Sequence, residues 1–225
     1  MKRFATAVLA WLMLGACGGE SVDAAKALRD GGASTASLKT VTATLKFTKG
    51  GISFQSFTLV NAKSSLKLPS DSDTTYNVKL QDALFGIQVV IIGGHVYMHV
   101  PFTSFREVTG PEAASIPDFA KLFDPATGLP TVIPAGTKPT YVATETVDGV
   151  SCYQVTTDYK PELIHGMLPQ LNSTAVVHAK IWVGVTDHFI RKAVLNGPFG
   201  DGGADATVEV GMKDFNGAVN ITPPS

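Results

Sequence analysis

Residues 40–54 read TVTATLKFTKGGISF, with an apolar side chain at every second position as far as Phe47. Val41, Ala43 and Leu45 precede it in the same phase, and threonine or lysine fills the positions between them. Successive side chains of a β-strand point to opposite faces, so the pattern predicts a strand with one buried and one solvated face. The two glycines that follow predict a turn, after which Ile52 and Phe54 resume the apolar face.

The same alternation recurs through most of the chain. Asp148 and Gly149 form a dipeptide typical of two-residue hairpin turns, and Gly93 and Gly94 mark another turn. The pattern therefore indicates a meander of antiparallel hairpins. Further strands are predicted near Leu66 and at 76–80, 85–92, 95–100, 141–147, 150–159, 177–183, 190–195, 206–212 and, as a short edge strand, 218–221.

Three segments break the alternation and favour helices. Val22 to Leu38 is rich in alanine at helical spacing, although Gly31 and Gly32 predict a break or fraying inside it. Residues 101–139 contain seven prolines around a short apolar cluster, which predicts a helical, loop-rich insertion lying across the sheet. A further helix is predicted to begin at Pro161, because proline is well tolerated in a first helical turn.

The N-terminus has the features of a bacterial lipoprotein signal peptide. Lys2 and Arg3 precede the apolar run Phe4 to Leu14, which is shorter than the ~20 residues that a helix needs to span a bilayer. The run ends in Leu-Gly-Ala-Cys, the order of a lipobox, so Cys17 is predicted to carry the lipid. An ordinary secretory peptide with a chance cysteine is the alternative.

The predicted organisation is therefore a signal peptide, a tether and one domain. The boundaries are a lipoprotein signal peptide over 1–16, a lipidated N-terminal tether over 17–21 and a single domain over 22–225. Loss of Lys2 and Arg3 with the signal peptide reduces the 18 basic residues to 16, against 19 acidic ones. No basic patch indicates nucleic-acid binding. Cys152 is then the one unmodified cysteine, so an internal disulfide is not expected.

No constellation of residues indicates catalysis, a cofactor or a metal. His95 and His99 share a strand face, but two histidines do not complete a metal site. Asp201 and Asp205 flank a glycine-rich turn with too few oxygen ligands for calcium. The sequence contains no Gly-x-Ser-x-Gly nucleophile turn and no phosphate-binding glycine loop. We expect neither an enzyme nor a cofactor.

Short motifs in a fixed order connect the chain to a known family. They are the N-terminal helix followed by Leu-Lys-Thr-Val at 38–41, Asp-Pro at 124–125 with Gly-Leu at 128–129, Val-Asp-Gly-Val at 147–150, Lys-Ile-Trp-Val at 180–183, Asp-Phe-Asn at 214–216, and the stretch 219–223. Through them the chain resembles the LppX/LprAFG family of cell-envelope lipoproteins over nearly the whole mature length.

The resemblance implies both a fold and a function. The fold is α+β, a single curved antiparallel β-sheet (half-barrel) with helices packed on its concave face, similar to the LolA and LolB carriers. The implied function is binding acylated lipids or glycolipids in an apolar cavity and carrying them through the cell envelope. Three partners are implied: the acylated lipid or glycolipid, the plasma membrane through the Cys17 anchor, and an envelope transporter. The protein is then extracytoplasmic and anchored to the cell membrane.

The predicted cavity lies between the sheet and its helical cover. A closed core requires the same alternation, so only the resemblance favours a cavity over it. A lipid- or protein-sensing regulatory lipoprotein on the same fold is the rival function, and an envelope hydrolase is a weaker one. The residues expected to line the cavity are Val41, Ala43, Leu45, Phe47, Ile52, Phe54, Val89, Ile91, Leu163, Met167, Leu171, Val177 and Ile181.

Overall fold

Twelve strands form a single open antiparallel sheet. The computed structural model describes residues 21–54, 56–81, 83–167, 170–171 and 173–224. The strands are β1 (Thr40–Lys49), β2 (Ile52–Phe54), β3 (Phe57–Lys67), β4 (Asp71–Leu80), β5 (Ala83–Ile92), β6 (His95–His99), β7 (Arg106–Val108), β8 (Thr137–Val147), β9 (Val150–Tyr159), β10 (Val177–Gly184), β11 (Ile190–Gly197) and β12 (Ala206–Lys213).

The first and last strands lie side by side at the centre of the sheet. The strand order is β7-β6-β5-β4-β3-β1-β12-β11-β10-β9-β8, and β2 pairs with β3 outside this path. Most neighbours in sequence therefore pair within each half, except that β1 pairs with β3, while β12 joins the two halves. The α+β fold class with one curved antiparallel sheet is confirmed.

Two adjacent ladders show how the alternation separates the two faces of this sheet. On the inner face, paired residues run across nine strands in the order Ile87, Tyr76, Ala62, Leu45, Val210, Ala193, Ile181, Val155 and Tyr141. One residue further along each strand, the outer face carries Gly86, Asn77, Asn61, Lys46, Glu209, Val194, Lys180, Thr156 and Thr140. The inner face therefore buries apolar area against a cover, while the outer face is mainly polar.

Short helices form the cover over the inner face. They are α1 (Ala24–Ala36), α2 (Gly110–Ser115), α3 (Leu129–Val132) and α4 (Pro161–Met167), with 3-10 turns at Phe119–Phe123 and Ile133–Ala135. Asp23 caps α1 by accepting a hydrogen bond from the backbone N–H of Lys26 at 2.9 Å. Within the described residues, none of these helices is both long and apolar enough to cross a membrane.

The predicted break at Gly31 and Gly32 is wrong, because α1 is continuous from Ala24 to Ala36. Both glycines are buried where α1 approaches its neighbours closely. A Cβ on Gly31 would lie 2.6 Å from the Ile190 side chain, and one on Gly32 would lie 2.7 Å from the carbonyl oxygen of Pro130. Tertiary packing thus outweighs the low helix propensity of glycine here.

The close approach of the Pro130 carbonyl to Gly32 predicts that a larger residue at position 32 destabilises the fold. We expect Gly32→Ala to lower the free energy of unfolding by about 1 to 3 kcal/mol, because backbone on the partner segment must move to admit the methyl group. Gly166→Ala in α4 is the control, since a Cβ there meets nothing within 4 Å. That change should leave stability unchanged or raise it by up to about 1 kcal/mol. Urea unfolding measures both, and equal effects would contradict the packing role of Gly32.

The predicted edge strand at 218–221 is also wrong. Both sides of β12 are already paired, so no sheet edge is free beside the end of the chain. After β12 the chain instead docks on the start of β1. The Asn216 N–H donates to the Thr40 carbonyl at 2.9 Å, and the Thr40 hydroxyl donates to the Gly217 carbonyl at 2.7 Å.

Candidate functional site

An apolar cavity lies between the inner face of the sheet and the helical cover. Its volume is about 70 Å³. The sheet side is formed by β1 and β9 to β12 through Leu45, Tyr159, Ala179, Ile181, Ile190, Ala193, Leu195, Val208, Val210 and Met212. The cover side is formed by Leu122, Leu129, Val132, Ile133, Ile164, Met167 and Leu171.

The described lining residues offer no free polar group to a ligand. Tyr159 is the one of them with a hydroxyl, which donates to the carbonyl oxygen of Ile133 at 3.0 Å. Burial raises the pKa of the Tyr159 hydroxyl, so the side chain stays neutral. The hydrogen bond also fixes the 3-10 turn Ile133–Ala135 against β9. The described lining is therefore suited to apolar ligands, and it contains no histidine, cysteine or carboxylate.

The cover is incomplete over the centre of the sheet. Ala193, Leu195 and Val210 are only half-buried although they lie on the inner face, and Leu129 opposite them is half-buried as well. Their neighbours Ile181 and Val208 in contrast are at most 3% exposed. Apolar surface therefore remains accessible at the junction of β11 and β12.

The inner face over the other half of the sheet is filled by the chain itself. Tyr76 donates its hydroxyl hydrogen bond to the Pro117 carbonyl and packs on Phe119 with ring centroids 5.8 Å apart. The buried hydroxyls of Ser64 and Thr74 lie 2.7 Å apart and satisfy each other. The 3-10 turn Phe119–Phe123 thus closes the space over β3 and β4, which confines the cavity to β1 and β9 to β12.

The structure brings four of the predicted lining residues together at this cavity and places the others elsewhere. Those at the cavity are Leu45, Met167, Leu171 and Ile181. Those buried in the core away from it are Val41, Ala43, Phe47, Ile52, Val89 and Val177. Ile91 lines a separate depression beside α2, and Leu163 is partly buried against the core. Phe54 belongs to β2, but its side chain is not among those described, and Cys17 lies outside the described residues.

Most of the lining could not be selected from the sequence. Val210, Ala193 and Leu195 share the alternation of many core residues, and only the pairing of β1 with β12 and β12 with β11 places them beside Leu45. The cover residues Leu129 and Ile133 sit in the proline-rich insertion, whose path has no periodicity to read. One signal was available, since Leu122 belongs to an apolar cluster within that insertion.

The histidines and acidic residues noted in the sequence do not converge. Among the described residues, no group of three or more His, Cys, Asp or Glu side chains is placed to hold a metal ion. His95 Nδ1 lies 2.7 Å from the Glu107 carboxylate, and His99 packs against Phe105 with ring centroids 5.1 Å apart. Asp201 accepts hydrogen bonds from the backbone N–H and the hydroxyl of Ser53 at 2.7 and 2.6 Å.

Comparison with known proteins identifies similar chains. The family model described as LppX_LprAFG lipoprotein matches residues 23–221. The lipoarabinomannan carrier protein LprG of Mycolicibacterium smegmatis is 24% identical over 154 residues, which span 67% of this chain and 59% of that relative.

Two crystal structures share the architecture. LprF from Mycobacterium bovis superposes with a TM-score of 0.72 at 17% identity, over 91% of this chain and 98% of LprF. LppX from Mycobacterium tuberculosis superposes with a TM-score of 0.63 at 16% identity, over 88% of this chain and 98% of LppX. At such identities the superpositions establish the fold and nothing finer.

Proposed function

This chain belongs to the LppX_LprAFG lipoprotein family, and on that premise we propose that it binds acylated lipids or glycolipids in its apolar cavity and carries them through the cell envelope. The observation that carries the proposal is the cavity itself, whose lining is apolar and whose one hydroxyl is already hydrogen-bonded to the protein. The name of the relative LprG, a lipoarabinomannan carrier protein, supports a lipid that bears sugar. We do not assign an enzymatic activity to this site.

Loading requires the helical cover to move. The cavity volume of about 70 Å³ is well below the roughly 300 Å³ at which ligand pockets begin. Its cover consists of short pieces, with four residues in α3 and seven in α4. Helices of this length depend on tertiary packing for their stability, so their displacement from the sheet costs little secondary structure. The half-buried residues Ala193, Leu195 and Val210 mark the side on which we propose that a chain enters.

The free energy of lipid binding suits a carrier that both loads and releases its lipid. Each buried methylene group gains about 0.8 kcal/mol on leaving water, so a long acyl chain binds a protein cavity strongly. The same chain gains nearly as much inside a membrane, so transfer between membrane and cavity is close to balanced. Small differences in the lipid or in the cover then decide the direction of transfer.

We also propose that the protein is extracytoplasmic and tethered to the cell membrane. Residues 1–16 would be removed as a signal peptide, Cys17 would carry the lipid, and 17–21 would connect it to the lipid-binding domain of residues 22–225. Because α1 begins at Ala24, this anchor lies only a few residues from the helical cover. An envelope transporter is the further partner that we propose.

Lipid extraction tests the proposal. The mature protein, purified without detergent from its own host, is expected to yield acylated lipid in near-stoichiometric amount when a solvent extract is analysed by mass spectrometry. A denatured and refolded sample provides the blank. Protein that carries no lipid and takes up no fluorescent fatty acid would rule out the carrier function.

The size of the cavity favours one alternative. A lipid- or protein-sensing regulatory lipoprotein needs no room for whole acyl chains, and a volume of about 70 Å³ is compatible with that role. In that case the extract contains no stoichiometric lipid, and the folded protein retains a partner protein on affinity purification from envelope extracts. The extraction experiment therefore distinguishes the two functions, since only the carrier yields stoichiometric lipid.

A further inference from the structure

A second concave site, which we call the outer groove, lies on the opposite face of the sheet over β8 to β11. Its volume is about 570 Å³, within the range of roughly 300 to 1,000 Å³ typical of small-molecule sites. The strand register fixes its walls, since Gln154 pairs with Trp182, Thr156 with Lys180 and Asp158 with His178. Directly paired residues point to the same face, so these side chains form three successive polar rows.

Gln154 is the feature that points to a ligand. Its side chain lines the outer groove, and the residue is only 8% exposed. Its amide nevertheless makes no hydrogen bond to any side chain or backbone group among the described residues. The amide is not among the described buried polar atoms that lack a partner, so it is accessible from the groove and offers a ligand a donor and an acceptor side by side.

The other polar groups of the outer groove include both hydrogen-bond donors and acceptors. Lys138 and Lys180 line the groove and have no ion-pair partner within the described part of the chain. Lys138 has a positive φ of 53° at a register shift in β8, and bulges of this kind redirect a side chain. Asp158 contributes a carboxylate, held 2.6 Å from His178 Nδ1. The Asp158 carboxylate would repel a dianionic phosphate. A neutral hydroxyl can both donate and accept, so it can bond to the amide, the carboxylate and the ammonium groups of the groove.

Trp182 adds an apolar flank to the outer groove. Its indole N–H donates to the Glu145 carboxylate at 2.8 Å, and Lys192 Nζ lies 5.3 Å from its ring centroid, so the ring is held in place from two sides. Trp182 is 7% exposed, so it offers the groove a small apolar contact and not an open stacking face. A sugar ring fits this set because its hydroxyls can bond to the amide, the carboxylate and the two ammonium groups, while its C–H groups make van der Waals contact with the indole.

The outer groove and the cavity lie back to back on the same strands. Tyr159 and Ala179 line the cavity, while their chain neighbours Asp158, His178 and Lys180 line the outer groove. Only the thickness of the sheet separates the two sites, near the ends of β9 and β10 from which the segment containing α4 departs.

We propose that the outer groove binds sugar rings through the Gln154 amide, with Asp158, Lys138 and Lys180 completing the contacts to their hydroxyls. The sugar belongs either to the headgroup of the carried lipid or to envelope polysaccharide. The first assignment rests on the proposed function, whereas sugar binding itself does not.

Binding of an acyl-free probe tests the outer groove separately from the cavity. The probe is an α-linked mannose oligosaccharide without acyl chains, titrated into the full mature protein by calorimetry. Gln154→Met keeps the side-chain volume and removes the amide, so we expect affinity to fall about tenfold, as for the loss of one or two hydrogen bonds. Gln88→Met is the matched control, because Gln88 lies on the same face but already donates to Asp73 at 2.9 Å. It should leave sugar affinity unchanged.

The outcomes separate this proposal from the carrier function. Fluorescent fatty acid binding should be the same in wild type and Gln154→Met. If the wild-type protein takes up fatty acid but not the oligosaccharide, or if Gln154→Met binds sugar as well as wild type does, the sugar groove is overturned while the carrier function stands. If the oligosaccharide binds and fatty acid does not, the carrier function fails alone.

A mannosylated lipid distinguishes the two sources of sugar. If one molecule occupies both sites, the intact glycolipid binds more tightly than its acyl or its sugar part, and Gln154→Met weakens it about as much as it weakens the oligosaccharide. If the sugar comes from polysaccharide, saturating oligosaccharide leaves glycolipid binding unchanged. Sugar binding through Gln154 is supported in both cases.

Discussion

Replacing Ala193 by phenylalanine is expected to reduce lipid loading at least tenfold while the domain remains folded. Ala193 sits at the centre of the sheet side of the cavity and is half-buried, so a larger side chain has an open direction in which to extend. A phenyl ring that extends from position 193 into a cavity of only about 70 Å³ would displace at least two methylene groups of a bound chain. Since each methylene contributes about 0.8 kcal/mol, losing two of them already exceeds a tenfold change in affinity.

Titration with a fluorescent fatty acid measures this loss, and thermal unfolding verifies that the variant is folded. The matched control is Thr44→Phe, which adds the same ring next to Leu45 on the exposed outer face, opposite Gly211. The control should bind the fatty acid as wild type does. Full loading of a folded Ala193→Phe protein would show that acyl chains do not enter this cavity.

Cys17→Ala is expected to move the protein from the membrane fraction to the soluble fraction. Two or more acyl chains on one residue hold a protein firmly at a membrane, at about 0.8 kcal/mol per buried methylene, and the variant loses all of these chains. We therefore expect nearly all of the wild type, and only a minor fraction of the variant, to sediment with membranes. Mass spectrometry of the N-terminal peptide should show the lipid on Cys17 in the wild type only.

The second cysteine of the chain provides the control for this experiment. Cys152 is fully buried in β9, and burial raises the pKa of its thiol, so it is unreactive. Cys152→Ala should cost some stability through lost packing and leave the membrane fraction unchanged. Release of Cys152→Ala from membranes, or retention of Cys17→Ala, would contradict lipidation at Cys17.

The alternation in the sequence was sufficient to predict the faces of the sheet but not the position of the cavity. Leu45 and Ile181 were predicted to face inwards, and the structure places both in one inner ladder. Which inner residues face empty space depends on what covers them. Val89 obeys the same alternation, but it lies over the half of the sheet that Tyr76 and the turn Phe119–Phe123 fill.

Two errors show where local rules give way to tertiary structure. Glycine is a poor helix former, yet Gly32 is buried within α1 because no larger residue fits beneath the carbonyl of Pro130. The stretch 218–221 has strand-like residues, yet pairing of β12 on both sides leaves it no edge. The outer groove also depends on tertiary structure, because only the pairing of β9 with β10 places the Gln154 amide beside Trp182 and Lys180.

The central position of β12 has a consequence for how the molecule is made. Residues 40–108 and 137–197 each contain hairpins that can fold locally as the chain emerges during synthesis, but among the described strands only β12 joins the two halves by strand pairing. Pairing of residues as distant in sequence as Leu45 and Val210 is slow, because the entropy of closing a long loop is lost before any stabilising contact forms. The binding cavity is therefore completed last, and a nascent chain truncated before residue 206 would lack the strand that pairs the two halves of the sheet, which leaves apolar inner-face residues exposed to chaperones and proteases.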